Sequence, residues 1–161
     1  MSTVALLIGG NLGDRRSLIE QATVLIQERI GTVVAVSGIH ETAPWGEFEV
    51  EDGKQEVESF MNRAMLVETT LSPVEVLHEA LAVEALLGRR RPVEGGQKYH
   101  SRTMDIDLIF YDDLVMDTAE LTLPHPRMHL RRFVLAPLAE VAPDWRHPLL
   151  GLTVGEMLEE I

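Results

Sequence analysis

Two aspartates, Asp105 and Asp107, stand two residues apart in the largely apolar run RTMDIDLIFYDD, residues 102–113. Side chains of a β-strand point to alternate faces, so both carboxylates share one face if this run is a strand. Two unpaired carboxylates so close repel each other, and a hard divalent cation removes that repulsion. The pair therefore indicates a Mg²⁺ site, with a solvated strand end or an ion pair to Arg102 as the alternative.

The basic residues of this acidic chain are concentrated in two stretches. The chain has 14 lysines and arginines against 26 acidic residues, a formal net charge of −12. Eight of the 14 fall in residues 89–102 and 127–132. Guanidinium groups match phosphate oxygens, and arginines beside two carboxylates suit a metal–polyphosphate complex. A solvated basic loop is the alternative, and neither G-x-x-x-x-G-K-[ST] nor G-x-G-x-x-G occurs. The glycines of GGNLGD indicate a structural turn.

An aromatic residue and an amide, Phe60 and Asn62, lie two apart in a second strand-like segment and so share a face. This pair suits a flat heterocycle that forms hydrogen bonds, although core packing explains Phe60 equally well. A third group, His125, Arg131 and Phe133, lies close together in the chain. A histidine between two prolines more often fixes a loop than catalyses. The remaining histidines have no context that points to chemistry: His40, His78, His129 and His147.

The composition excludes several classes of protein. We expect residues 1–161 to form one domain, since 161 residues suffice for a core. The chain has no cysteine, which excludes disulfides, thiolate catalysis and cysteine-rich zinc sites and suits the cytoplasm. The acidic balance argues against nucleic-acid binding, and MSTVALLIGG lacks the features of a signal peptide or membrane span. We therefore expect a cytoplasmic protein with no nucleic-acid or membrane partner. A monomer is our expectation for its oligomeric state, which the composition does not determine.

The elements that must position these residues follow from periodicity and capping signals. Strands are predicted at 4–9, 32–41, 60–69 and through the aspartate run. Helices are predicted at 15–30, capped by Asp14, and at 72–88, with a capping box from Ser72 to Glu75. This order is the ferredoxin-like βαββαβ pattern of an α+β fold, with a mostly antiparallel sheet and both helices on one face.

The segments around this core have weaker signals. In the aspartate strand, strict alternation places Phe110 with Met104 and opposite Tyr111. A hairpin is predicted near Asp112–Asp113, then a short strand at 121–123, a helix within 127–141 and a short helix after Thr153. The polar loops at 42–59 and 89–102 are long enough to indicate function, and we expect them to be mobile over the active site.

The sequence also resembles a known family. The blocks GGNLGDR, TAPWG, FMNRAMLVET, LGRRR, RTMDIDLIFYDD and LPHPRMHLRRFVLAPLAEVAPDW occur in the order and approximate spacing of 6-hydroxymethyl-7,8-dihydropterin pyrophosphokinase. The resemblance covers roughly residues 4–150, and its R-T-x-D-x-D and P-H-P-R-x-x-x-R-x-F-V-L-x-P-L blocks are together very specific. It implies the ferredoxin-like fold and transfer of pyrophosphate from ATP to the pterin hydroxymethyl group in folate biosynthesis, releasing AMP.

The resemblance also implies roles for individual residues. Two Mg²⁺ ions would be bound by Asp105 and Asp107, which with Arg89 and Arg102 would form the catalytic set. The pterin would contact Thr42, Ala43, Pro44, Phe60, Asn62 and Phe133. ATP, the co-substrate, would contact Glu84, Arg89, Arg102, His125 and Arg131.

Two other functions fit parts of the sequence. A nucleotidyl- or glycosyltransferase also uses a D-x-D metal site, but it would attach a nucleotide or sugar to its product. A ferredoxin-like ligand-binding module would bind without turnover, and it would leave the aspartate pair unexplained.

Overall fold

The computed structural model describes residues 1–10, 14–42, 60–88 and 104–161. Its elements in chain order are β1 (Ser2–Gly10), α1 (Arg15–Arg29), β2 (Thr32–Val36), β3 (His40–Thr42), β4 (Phe60–Thr69), α2 (Pro73–Leu86), β5 (Asp105–Tyr111), β6 (Met116–Asp117), β7 (Thr122–Leu123), a 3₁₀ helix (Met128–Leu130), α3 (Arg132–Val141) and α4 (Val154–Glu159). Thr42, the first residue of the loop predicted at 42–59, belongs to β3. The rest of that loop and the loop predicted at 89–102 lie outside the described residues, so their closing over the site stays a prediction.

The main sheet has the order β2–β4–β1–β5, and every neighbouring pair is antiparallel. This is the predicted ferredoxin-like arrangement. The prediction of one continuous strand at 32–41 is wrong, because the segment divides into β2 and β3. Both of these strands pair with β4. Ser37 lies at the break, where its hydroxyl accepts a hydrogen bond from the Ala64 N–H at 3.0 Å.

Helices cover both faces of the sheet. The predicted pair, α1 and α2, packs on one face over Val4, Leu6 and Ile8 of β1. Helices α3 and α4 pack on the opposite face, which includes Ala5 and Leu7. The run VALLIG is apolar at every position because both of its faces are buried. We refer to the two faces as the α1/α2 layer and the α3/α4 layer.

The helix starts agree with the predicted caps. Asp14 accepts a hydrogen bond from the Ser17 N–H at 3.3 Å at the start of α1. Ser72 and Glu75 form the predicted capping box of α2, and Thr153 caps α4 in the same way. These contacts satisfy backbone N–H groups that a helix leaves without internal partners.

Strand β5 departs from the predicted alternation at a bulge. Ala5 of β1 lies opposite Phe110, but Leu6 lies opposite Leu108, so Ile109 is an extra residue in β5. Phe110 therefore enters the α3/α4 layer and Tyr111 the α1/α2 layer, the reverse of the prediction. A β-bulge changes the facing of every residue beyond it. The two aspartates precede the bulge and keep their predicted common face.

The turn after β5 forms at the predicted place but is not a hairpin of β5. Asp112 adopts φ 52°, and its carboxylate accepts a hydrogen bond from the Thr3 N–H at 2.9 Å. The next strand, β6, pairs with β7 instead of returning along β5. The turn therefore anchors the end of β5 to β1.

His147 has a structural role that its sequence context did not indicate. It is 4% exposed, and its Nδ1 accepts hydrogen bonds from the N–H groups of Leu149 and Leu150, each at 3.1 Å. Its ring meets Phe110 edge-on, and Phe110 stacks on Trp145. Burial, with a smaller contribution from His129, lowers the pKa of His147.

This lowered pKa predicts a pH dependence of folding. The unfolded state binds a proton at His147 at higher pH than the native state does, so stability falls as the pH drops through the unfolded value of about 6.5. We expect His147→Asn, whose side-chain oxygen can accept the same N–H groups, to lose less unfolding free energy on acidification than wild type. Urea titrations between about pH 7.5 and pH 5.5 measure this. The exposed His78→Asn is the control, and parallel pH profiles for wild type and His147→Asn would contradict the assignment.

Candidate active site

The candidate site is organised by a row of residues that crosses four strands. His40 lies opposite Asn62, Asn62 opposite Gly9, and Gly9 opposite Asp105. Directly opposed residues of antiparallel strands point to the same face. Asn62 and Asp105 are therefore two strand spacings apart, about 10 Å, on the face that α3 covers. The sheet thus brings the predicted amide and carboxylate groups onto one surface.

Gly9 makes room for the Asn62 side chain in the middle of this row. A Cβ atom at Gly9 would lie 2.3 Å from the Asn62 Oδ1 atom, which is too close for any side chain. Asn62 is 5% exposed, so its amide is held in a buried position over the Gly9 backbone. The sequence prediction assigned Gly9 both to the strand at 4–9 and to the turn GGNLGD, and the structure places it in β1. Gly9 is therefore a site residue that the sequence analysis missed.

The two aspartates begin β5 and differ in exposure. Asp105 is half-buried, and Asp107, opposite Leu7 in the next row, is exposed. Within the described residues, no group of three or more His, Cys, Asp or Glu side chains could hold a metal ion. The carboxylate pair still fits Mg²⁺, which takes one or two carboxylates and completes its coordination with water and phosphate oxygens. A closed zinc site would need more protein ligands.

Glu84 of α2 holds the backbone between the two aspartates. Its carboxylate is buried, 5% exposed, and accepts a hydrogen bond from the Ile106 N–H at 2.7 Å. Glu84 thereby fixes the start of β5, while its predicted contact with ATP stays a prediction.

A cavity of about 480 Å³ lies between β3 and the start of α3. Its lining residues are His40, Thr42, Leu130, Arg131, Arg132, Phe133, Ala136 and Pro137. Three predicted site residues, Thr42, Arg131 and Phe133, thus come together. The guanidinium carbon of Arg131 lies 5.7 Å from the centroid of the Phe133 ring, a cation–π contact. The cavity has the size and the aromatic wall of a small-molecule site.

His125 is fixed against β5, as a histidine between two prolines suggested. Its backbone N–H donates to the Ile109 carbonyl at 3.0 Å, and its Nδ1 accepts from the Arg127 N–H at 3.3 Å. Burial lowers the pKa of His125, and Arg131 and Arg127 lower it further. The ring is therefore neutral near pH 7 and carries its proton on Nε2. It can donate one hydrogen bond to a ligand oxygen or nitrogen.

The other predicted residues divide into two groups. Phe60 is half-buried, lies opposite Thr42 and shares a face with Asn62. Four residues lie outside the described ranges, so their roles stay predictions: Ala43, Pro44, Arg89 and Arg102. His40 has no neighbouring residues in the sequence that point to chemistry, yet it lines the cavity. Its short distance in sequence from Thr42 was the one available signal.

Comparison with known proteins gives a consistent match. Residues 5–143 match the family model of 7,8-dihydro-6-hydroxymethylpterin-pyrophosphokinase. A protein from Porphyromonas gingivalis named 2-amino-4-hydroxy-6-hydroxymethyldihydropteridine pyrophosphokinase is 40% identical over 149 residues, 92% of this chain and 95% of that protein. The protein of the same name from Bacillus subtilis is 40% identical over 143 residues, 88% of this chain and 79% of its own length.

A solved structure shows the same fold. The crystal structure of wild-type Plasmodium falciparum HPPK-DHPS superposes with a TM-score of 0.73 at 15% identity. The superposition covers 99% of this chain but 44% of that protein, so the chain spans less than half of its length. This agreement concerns the fold, since the sequence identity is low.

The contact between Gly9 and Asn62 predicts how substitutions at the two positions combine. Gly9→Ala should lower the free energy of unfolding by about 1–3 kcal/mol, because the new methyl group displaces the buried amide. In an Asn62→Ala background the same change should cost much less, since the colliding atom is gone. Urea unfolding of the four proteins in this cycle measures the coupling. An equal cost of Gly9→Ala in both backgrounds would show that the Asn62 amide does not lie over Gly9.

Proposed function

The chain belongs to the 7,8-dihydro-6-hydroxymethylpterin-pyrophosphokinase family, and from this premise we propose how the site carries out the reaction. The chain catalyses the pyrophosphokinase step of folate biosynthesis, in which pyrophosphate passes from ATP to the hydroxymethyl group of 6-hydroxymethyl-7,8-dihydropterin. The observation that carries the proposal is the row that aligns Asn62, Gly9 and Asp105 beside the aromatic cavity.

The pterin end of the site is the part near β3 and α3. Phe133 and Phe60 would supply aromatic surfaces for the flat ring, and Asn62 would pair with its polar edge. Thr42 lines the cavity, and we place Ala43 and Pro44, which follow it in the chain, on the same edge. A bicyclic ring held at Asn62 would lie along the row with its far substituent toward Asp105 and Asp107.

The polyphosphate end is the start of β5. Asp105 and Asp107 would hold two Mg²⁺ ions bound to ATP, and these ions would neutralise charge on the phosphates and on the attacking and leaving oxygens. His125 would donate its Nε2–H to ATP, and Arg131 would pair with phosphate oxygens. We place Glu84, Arg89 and Arg102 at the same end, with Glu84 also holding the aspartate backbone through Ile106.

The reaction then depends on positioning and on charge. The pterin hydroxyl oxygen attacks the β-phosphorus in line, the bond from that phosphorus to the bridging oxygen of AMP breaks, and the hydroxyl proton passes to solvent. Two reactants held on one rigid sheet face react as if at a very high local concentration. No described side chain is assigned as a general base.

We propose that the protein acts as a cytoplasmic monomer on small-molecule substrates, with no nucleic-acid or membrane partner. Among the helices of the described ranges, none has both the length and the hydropathy of a membrane-spanning segment.

The nucleotide product tests the reaction directly. Incubation with ATP, Mg²⁺ and 6-hydroxymethyl-7,8-dihydropterin should yield AMP and the pterin pyrophosphate in equal amounts, because the β,γ-diphosphate unit is transferred whole. Chromatography with mass detection identifies both products. Stoichiometric ADP would indicate ordinary phosphoryl transfer, and a product bearing a nucleotide would favour a nucleotidyltransferase. Omission of the pterin is the control for background hydrolysis.

The aspartate pair has its own test. Asp107→Ala and Asp105→Ala should each lower kcat by at least about 10³-fold, because charge stabilisation by a bound metal contributes several kcal/mol to the transition state. Titration of Mg²⁺ with a non-hydrolysable ATP analogue should show weaker metal-dependent binding in both variants. Asp117→Ala, at an exposed aspartate of β6, is the matched control and should retain full activity. Near-normal rates for both site variants at saturating Mg²⁺ would eliminate the metal role.

A further inference from the structure

His40 and Glu140 join the two walls of the cavity. His40 belongs to β3 and lines the cavity, while Glu140 lies near the end of α3. The Nε2 atom of His40 lies 2.5 Å from the Glu140 Oε2 atom. The other carboxylate oxygen of Glu140 accepts a hydrogen bond from the Gly38 N–H at 2.9 Å. One carboxylate therefore holds both the side chain of β3 and the backbone that leads into it.

Glu140 occupies the same stripe of α3 as the aromatic wall. Phe133, Ala136, Pro137 and Glu140 follow the spacing i, i+3, i+4, i+7, which places them along one face of a helix. The first three line the cavity. The pair to His40 thus ties the far end of this stripe to β3, and the distance between α3 and β3 is the width of the cavity.

The charge on Glu140 determines which group donates and which accepts in its hydrogen bond with His40. The hydrogen bond from Gly38 lowers the pKa of Glu140, and the one from His40 lowers it further, so the group is a carboxylate at neutral pH. A carboxylate only accepts, so His40 donates through Nε2 and its ring orientation is set. The side chain of Glu140 is 46% exposed, and exposed pairs of this kind contribute little to global stability. We therefore expect loss of this pair to change the affinity for the ligand more than the free energy of unfolding.

We propose that His40 and Glu140 are positioning residues that set the width of the pterin cavity and hold Thr42 and Asn62 in register with Phe133. His40 lies opposite Asn62 and two residues from Thr42, so a fixed His40 fixes both neighbours. This inference rests on the proposed placement of the pterin against Phe133. Glu140 acts through His40 and Gly38, and it does not line the cavity itself.

The test compares binding of the two substrates. We expect His40→Leu and Glu140→Leu each to raise the KM and Kd for 6-hydroxymethyl-7,8-dihydropterin about tenfold, because only about a tenth of the free protein would then have the arrangement that binds the pterin. The Kd of the ATP analogue should stay unchanged, and kcat should change by less than about threefold, as for an interaction present in both ground and transition states. The double variant should be no worse than Glu140→Leu alone, because that change already breaks the contacts to both His40 and Gly38.

Two conservative variants and a matched pair complete the design. His40→Gln keeps a donor toward Glu140 and should recover most of the pterin affinity. The second histidine–glutamate pair, His78 and Glu120, is exposed and lies outside the cavity lining, so His78→Leu should bind both substrates normally. Urea unfolding of each variant measures folding separately from binding. If Glu140→Leu fails to fold, Glu140→Gln, which can still accept a hydrogen bond from the Gly38 N–H, replaces it in the binding measurements.

The possible outcomes separate the inference from the proposed site. If Phe133→Ala weakens pterin binding while His40→Leu and Glu140→Leu do not, the site stands and the positioning role is overturned. If His40→Leu has an effect and Glu140→Leu has none, His40 contacts the ligand directly and the pair does not position the wall. If Phe133→Ala is also without effect, the pterin binds elsewhere, and the inference falls with the site.

Discussion

The register of β1 between β4 and β5 is the constraint on which the site depends. It sets Asn62, Gly9 and Asp105 opposite one another, and so it places an amide and a carboxylate on one face at a separation fixed by strand spacing. A shift of one residue in either pairing would turn one of these groups to the α1/α2 layer. Burial of both faces of β1 opposes such a shift, since it would move large apolar side chains between two packed layers.

The remaining features of the site are supports for that register. Glu84 holds the backbone between the aspartates, and the Asp112 carboxylate anchors the other end of β5 to Thr3. The backbone N–H of His125 donates a hydrogen bond to the carbonyl of Ile109, the extra residue of the bulge. These contacts hold β5 from three elements of the chain. Groups that act by positioning need such support, because misplacement by about 1 Å can lower a rate about a hundredfold.

Much of the fold could be predicted because its signals are local. The caps at Asp14, Ser72 and Thr153 depend on residues within one helical turn, and the aspartate strand shows a clear two-residue period. The reversed facing of Phe110 and Tyr111 could not be predicted, because the bulge depends on the pairing of β5 with β1. A periodic pattern contains no information about an extra residue in one strand of a pair.

In the candidate site, too, the residues with local sequence signals could be predicted and those that depend on distant contacts could not. The aspartates, Asn62 and Phe133 were recognisable by residue type and by family motifs. The need for Gly9 arises from an amide on another strand, and the role of His40 arises from a carboxylate 100 residues away. A buried glutamate that bonds a strand backbone is equally invisible in sequence. Contacts between residues distant in the chain are the part of a site that only three-dimensional structure provides.

The burial of β1 on both faces also bears on cooperativity. Val4, Leu6 and Ile8 belong to one hydrophobic layer, while Ala5 and Leu7 belong to the other. Neither layer can open without exposing one face of the strand that carries Gly9. Local opening near the site is therefore coupled to loss of a core, and the backbone amides of β1 should exchange with solvent mainly through global unfolding. The strand at the centre of the site is thereby also among the slowest parts of the chain to fluctuate.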